Sequence, residues 1–398
     1  MSDARTPGSG APRARYAALD GLRGLAILMV LFVHFIGDET PRTALERAMV
    51  KGANYGIWGV DLFFVLSGFL ITGILHDSKG SAHSLRNFYV RRVLRIFPIY
   101  FGTLLILFGV LPALPVRYPA GLAESARHQG WLWTYTCNVY LAKAGTWALP
   151  YVSHFWSLAV EEHFYLLWPL AVLRLTRRAL LRVCVVGAAF ALALRCALSL
   201  AGATDVVLTV FTLCRLDSLL VGAALALAVR EMGLARVGRM GRRMLAPLAA
   251  LIFLASAWNA ATSGLLREVV LPVRTALVAA FFGALIVASV VAPRESGLGR
   301  VANAGSARFL GKYSYGLYVF HGIVAYALVE GRTLDAFDAA LGSHLAAMIV
   351  QASLGAGASL AIAVASYELY EKHFLRLKDR WSPHRTEAVA PVLTHTPA

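Results

Sequence analysis

Apolar runs about as long as the ~20 residues that cross a bilayer recur along this chain, near 17–37, 54–75, 92–112, 154–173, 179–201, 206–229, 244–262, 270–292, 310–330 and 344–367. The pattern predicts an all-α polytopic membrane protein with ten transmembrane helices. An aromatic stretch at 130–141, GWLWTYTCNVYL, is too short to cross. It predicts an interfacial or re-entrant helix with Trp131 and Trp133 at the headgroup level. The connection 113–153, marked by Pro112, Pro115, Pro119 and Pro150, is the one long external loop expected. One membrane domain over 16–375 is the simplest organisation, with a disordered cytoplasmic tail at 1–15 and a second cytoplasmic tail at 376–398. No small-residue cleavage site follows the first run, so it reads as a retained helix and not as a signal peptide.

Composition supports the membrane assignment, because 58% of the residues are hydrophobic and only 15% are charged. A formal net charge of +16 would suggest nucleic acid in a soluble chain. Here the arginines fall in short loops between apolar runs, where they act as topology signals, and no nucleic-acid partner is expected. Arg5, Arg13 and Arg15 precede the first run, Lys79, Arg86, Arg91 and Arg92 follow the second, and RLTRRALLR and REMGLARVGRMGRR are denser still. With ten spans all of these lie on one side, and the opposite loops are sparse or balanced in charge. The positive-inside rule then puts both termini in the cytoplasm of a multi-pass protein of the inner (plasma) membrane. The four cysteines have no metal-ligand spacing, so neither a zinc site nor a disulfide framework is implied.

Polar residues inside the apolar runs are the candidates for chemistry, because each costs on the order of a few kcal/mol near the bilayer centre unless the protein receives it. Eleven steps lead from Arg23 to His34, which on a straight α-helix is three turns plus about 20°, so the two share a face about 16 Å apart. Asp20 lies near the same stripe and can pair with Arg23. Asp61 opens the second run, where it needs a partner or meets water. The fourth, HFWSLAVEEHFYLLWP, carries His154, Ser157, Glu161, Glu162 and His163 in its outer half. The two glutamates point about 100° apart, so only one easily faces a common pocket. Arg215 and Asp217 interrupt the sixth run and tolerate lipid best as a pair or as partners of other buried charges. Ser314, Tyr318 and His321 share one face of the ninth, as glue between helices or as a site. Arg91, Arg92 and Arg95 crowd one turn at the start of the third, where guanidinium forks would suit an anionic phosphate.

With these residues in order, the sequence resembles the bacterial membrane-bound acyltransferases of family 3. The likeness is carried by Arg23 and His34, by GVDLFFVLSGFLI, NFYVRRVLRIFPIY, HFWSLAVEEHFYLLWP, RLDSLLVG, YSYGLYVFH and YELYEKHF. The resemblance implies transfer of an acyl group, commonly acetyl, from cytoplasmic acyl-CoA to a hydroxyl of a carbohydrate or lipid-linked acceptor, such as lipopolysaccharide, another envelope polysaccharide or a secreted macrolide. It implies that Arg23, His34 and the first glutamate of the pair, Glu161, are needed for activity. His163 stands where the family commonly has glutamine, which leaves it at most a role in tuning an acceptor pocket.

Hydroxyl acylation needs a base and a place for charge to build on the thioester oxygen, and it needs no metal or permanently bound cofactor. His34 is expected as the base and Glu161 as the group that orients it. Arg23, Arg91, Arg92 and Arg95 are expected to hold the phosphates of acyl-CoA, most simply acetyl-CoA. Asp61, His154, Ser157, Glu162, Arg215, Asp217, Tyr318 and His321 are expected to support the site or line an acceptor pocket. A covalent acyl-histidine remains the competing mechanism. A transporter or flippase is the rival class, although the two-fold repeat usual in such folds is not found. The sequence leaves the acceptor, acyl chain length and oligomeric state open.

Overall fold

A computed structural model describes residues 11–261 and 264–381, and among these the fold is helical with no strand. The helices are α1 Ala11–Phe32, α2 Ala44–Asn54, α3 Trp58–Asp77, α4 Ser84–Leu105, α5 Ala120–Ala126, α6 Gly130–Trp133, α7 Cys137–Ala144, α8 Trp156–Arg174 and α9 Arg177–Leu200. They continue as α10 Asp205–Val210, α11 Thr212–Met232, α12 Leu234–Ala261, α13 Leu265–Val291, α14 Gly297–Asn303, α15 Gly305–Glu330, α16 Thr333–Leu341, α17 His344–Ser366 and α18 Lys372–Trp381. Eight of the described helical stretches are long and apolar enough to cross a membrane. The other two expected spans fall on α8 and α15, which are about 28 and 39 Å long at the α-helical rise. These two carry many of the polar residues singled out in the sequence.

The first helix already begins at Ala11, inside the stretch expected as a disordered tail, and α18 continues through Trp381. Residues 1–10 and 382–398 lie outside the described residues. The aromatic stretch at 130–141 forms two short helices, α6 and α7, and not one. The chain breaks at Tyr135, whose φ of 55° no helix continues. Tyr100 fixes that turn by stacking its ring on Tyr135 at 4.1 Å and donating its hydroxyl to the Leu132 carbonyl at 2.8 Å. The expected sixth span is likewise interrupted at Phe211, between α10 and α11. The Asn138 side-chain amide satisfies the gap by donating to the Val210 carbonyl (3.2 Å) and to Thr212 Oγ1 (2.8 Å).

Small residues set the spacing of the central helices. A Cβ on Gly24 would run into the Ala307 carbonyl, and one on Gly311 into that of Asp20, so α1 and α15 meet backbone to backbone. The same device brings α3 against α11, where Gly68 faces the Leu219 carbonyl and Gly222 that of Val65. The long outer connection is tied down at the end of α15. There Glu330 accepts the backbone N–H of Ala120 (2.8 Å) and the Tyr151 hydroxyl (2.8 Å).

After Phe32 the first helix widens into a π-turn, Val33–Gly37, that contains His34. Such turns occur often at functional sites, because they re-aim a side chain without ending the helix.

Candidate active site

A slender cavity of about 90 Å³ opens between α1, α3, α4, α8 and α15. Arg23, Arg92 and Arg95 line it, together with Ser67, Glu161 and Tyr165. Arg23 is held by Asp20, its Nη1 donating to Oδ1 at 2.9 Å, as the three-residue spacing suggests. Arg92 lies over the rings of Phe88 (5.7 Å) and Tyr165 (5.3 Å), where its charge is attracted to two aromatic faces without being neutralised. Arg91 is not among the residues that line the cavity. Three guanidinium groups therefore converge on one space. Glu161 is the acid that lines it with them.

Glu161 does not sit at His34, and among the described residues no contact joins the two. Its Oε1 accepts the Ser67 hydroxyl at 2.6 Å, and Ser67 in turn accepts the Tyr165 hydroxyl at 2.5 Å. The physical reason is the crossing of α8 with its neighbours. The first turn of α8, with His154 just before it, lies at the level of the histidines, and Glu161 lies a turn further along, at the level of the arginines.

His34 instead faces two other imidazoles. Its ring meets His321 edge-on at 4.8 Å, and His321 meets His154 at 4.9 Å. Backbone carbonyls fix the tautomers, because a carbonyl can only accept. His34 Nδ1 donates to the Val30 carbonyl at 2.9 Å, leaving Nε2 as the nitrogen with a free lone pair. His321 Nδ1 donates to the Tyr318 carbonyl at 2.7 Å, and its Nε2 is buried without a partner among the described residues. His154 Nε2 donates to the Val319 carbonyl at 3.1 Å. The nearby acid missed in the sequence is Asp38, four residues beyond His34 and within electrostatic reach of it. Between the arginines and the histidines lie Ser157 and Tyr318, in short hydroxyl contact with each other and both on the cavity wall. Arg23 lines the cavity together with Ser314, Tyr315 and Tyr318 of α15, and His34 meets His321 of the same helix.

Asp61, Arg215 and Asp217 lie behind the cavity wall. Asp61 accepts Arg215 Nη2 at 2.5 Å and the Ser218 hydroxyl at 2.9 Å. Asp217 does not pair with Arg215. Both its oxygens are taken by Arg195, at 2.9 and 2.5 Å. Arg195 was missed in the sequence, where a lone arginine in the apolar run of α9 was the available signal. All four side chains are nearly inaccessible, so these are closed buried pairs joining α3, α9 and α11. They do not line this cavity. Glu162 points away from Glu161, as the 100° step requires, and its Oε1 is buried without a partner among the described residues. His163 Nδ1 meets Thr212 Oγ1 at 2.8 Å, which joins α8 to the start of α11.

This arrangement, guanidinium groups at one end of a membrane-buried cavity and imidazoles of fixed tautomer beyond the other, defines an all-α multi-pass membrane protein with a polar site enclosed by its helices. Residues 16–368 match the family described as "Acyltransferase domain", and the chain belongs to that family. It is similar to YrhL of Bacillus subtilis (strain 168), 35% identical over 160 residues that make up 38% of this chain and 23% of that protein. It is 33% identical over 159 residues to the peptidoglycan O-acetyltransferase OatA of Listeria monocytogenes serovar 1/2a, covering 38% of this chain and 23% of that one. It is 30% identical over 166 residues to the O-acetyltransferase OatA of Staphylococcus aureus (strain NCTC 8325 / PS 47), covering 40% and 25%. The aligned segments thus span about a quarter of the length of these relatives. No solved structure matches the chain.

Proposed function

We propose that this protein is a membrane-embedded O-acyltransferase that moves an acetyl group from cytoplasmic acetyl-CoA to a hydroxyl of a cell-envelope carbohydrate. The observation that carries the proposal is the convergence of Arg23, Arg92 and Arg95 on one cavity whose wall includes Tyr318, the ring of which neighbours His154 (5.9 Å) and His321 (5.3 Å), with His34 next to His321. Arginine forks bind phosphate oxygens bidentately, and the pantetheine arm of CoA has a length that spans the roughly 16 Å from Arg23 to His34. The loop charges favour a plasma-membrane protein of ten spans with both termini in the cytoplasm, which puts the arginine end on the side where acetyl-CoA is made. The similarity to a peptidoglycan O-acetyltransferase makes peptidoglycan the first acceptor to try, with another envelope glycan or a secreted small molecule next.

In this scheme His34 Nε2 takes the proton of the acceptor hydroxyl as its oxygen attacks the thioester carbonyl. The imidazolium so formed keeps its Nδ1–H on the Val30 carbonyl and faces the charge of Asp38. It then returns the proton to the departing CoA thiolate. Glu161, with Ser67 and Tyr165, balances the arginines on the donor side and takes no part in proton transfer.

The test offers the purified protein acetyl-CoA and soluble peptidoglycan fragments, then follows CoA thiol and alkali-labile acetyl label. Acceptor-dependent thiol release with label in the glycan supports the proposal. Label in neither the fragments nor any envelope glycan, with acetyl-CoA intact, overturns it.

A further inference from the structure

Resting on that thioester mechanism, we propose that the hydroxyls of Ser157 and Tyr318 are the donors that stabilise the thioester oxygen as negative charge builds on it. Ser157 on α8 and Tyr318 on α15 are the last residues of their helices to line the cavity before the histidines begin, at His154 and His321. Both are buried, and the neighbouring wall is apolar: the Phe63 ring meets that of Tyr318 edge-on at 6.0 Å. Three oxygens form a triangle there. Tyr318 Oη donates to the His154 carbonyl at 3.1 Å, the Ser157 hydroxyl reaches the same carbonyl at 3.4 Å, and the two hydroxyls touch. Two O–H protons thus have more than one place to go, so both can turn toward an incoming oxygen.

Elimination points the same way, because a developing oxyanion needs donors that are not already committed. The ring N–H groups of His34, His154 and His321 are all spent on backbone carbonyls. The Ser67 hydroxyl is spent on Glu161 and the Tyr165 hydroxyl on Ser67. The guanidinium groups are assigned to the phosphates. Ser314 and Tyr315 each hold a carbonyl of their own, on Gly311 and Ile96, whereas Ser157 and Tyr318 share one acceptor next to the imidazoles and are the hydroxyls least committed there.

The step balances. The acceptor oxygen forms a bond to the carbonyl carbon as its proton passes to His34 Nε2, and the π-electron pair moves onto the carbonyl oxygen, which accepts hydrogen bonds from Ser157 and Tyr318. Collapse of the tetrahedral intermediate restores the carbonyl and breaks the carbon–sulfur bond. The CoA thiolate leaves and takes the proton from His34.

The experiment uses membrane vesicles that hold the full-length protein and its endogenous acceptor, with radiolabelled acetyl-CoA as the donor. Rates per folded protein and the KM for acetyl-CoA are compared for wild type, Tyr318→Phe and Ser157→Ala. Tyr318→Phe is expected to lower the maximal rate about 10²-fold, the usual loss for one oxyanion donor, with KM within twofold and thermal stability retained. Ser157→Ala is expected to lower it at least tenfold with the same split. A Tyr318→Phe rate above half of wild type overturns the assignment, as does a loss confined to KM or an acetyl group found covalently on either side chain. If Tyr318→Phe does not fold, a loss below tenfold in Ser157→Ala overturns it alone. No labelling by wild type overturns the thioester mechanism and this pair with it, whereas normal labelling by both variants overturns the pair only.

Discussion

Two sets of arginines sit among the helices of this molecule, and they differ both in exposure and in what their charge meets. Arg195 and Arg215, behind the cavity wall, each face one carboxylate at 2.5 Å, and Asp217 grips Arg195 with both oxygens. Arg23, Arg92 and Arg95 share a cavity that Glu161 alone among the acids lines, and Arg92 rests on aromatic faces instead of an acid. A closed pair satisfies its own charge and is a tie between helices. An under-neutralised cluster keeps charge for something that arrives. Exposure divides them the same way, since Arg195 and Arg215 are nearly inaccessible whereas Arg23 and Arg92 are half-buried and Arg95 is exposed.

The sharpest way to break the comparison is to open a closed pair. Asp217→Ala strands Arg195 in the protein interior, which costs about 3–5 kcal/mol. The expected outcome is loss of folded protein, measured as the monodisperse fraction in detergent, and not a selective loss of turnover. The next largest effect falls on the imidazole end. His34→Ala is expected to cut acyl transfer by about 10²–10⁴-fold, the range for losing a general base, at unchanged protein level. Retention of more than a tenth of the wild-type rate would remove His34 from that role.

Opening the cavity cluster instead is expected to be gentler and selective. Each charge-assisted hydrogen bond to a phosphate contributes about 1.5–3 kcal/mol, so Arg92→Ala and Arg95→Ala should each raise the KM for acetyl-CoA about tenfold or more. Folding should be spared, because no carboxylate is stranded opposite them in the way Arg195 strands Asp217. A steady-state titration with acetyl-CoA checks this, and an untouched KM would make these arginines topology signals only. The smallest effect is expected at His163, whose ring touches Thr212 on α11. His163→Gln keeps a hydrogen-bonding group there and should leave the rate within a factor of about three, since surface-like polar swaps away from the reacting atoms usually cost little.

What could be read from the sequence divides along the same line. Periodicity along a single helix was enough to place Arg23 and His34 on one face and to pair Asp20 with Arg23, because both are local geometry. The length of the apolar runs located α3, α8, α9, α13, α15 and α17 to within about five residues for the same reason, whereas α4 and α12 begin well before the apolar runs that marked them. Pairing across helices was not legible. Nothing in one helix tells Asp217 that its partner is Arg195 on α9, or tells Glu161 that Ser67 on α3 will take its carboxylate before His34 can. The π-turn at Val33–Gly37 and the break at Tyr135 also escaped, since both depend on neighbours that hold an irregular backbone in place. Of the residues expected in the site, Arg23, Arg92, Arg95, Glu161, Ser157 and Tyr318 meet at the cavity, and His34, His154 and His321 meet beyond it. Asp61, Arg215 and Asp217 belong to the frame.

The central claim is that one cavity has a binding end and a chemical end. The most direct test measures acetyl-CoA binding and acetyl transfer side by side in His34→Ala and in the Arg92→Ala, Arg95→Ala double variant. The account predicts that His34→Ala binds acetyl-CoA as wild type does while transfer falls at least a hundredfold, and that the double variant loses binding but recovers rate as acetyl-CoA is raised. Equal loss of binding and transfer in both variants, or undiminished binding in the double variant, would contradict it.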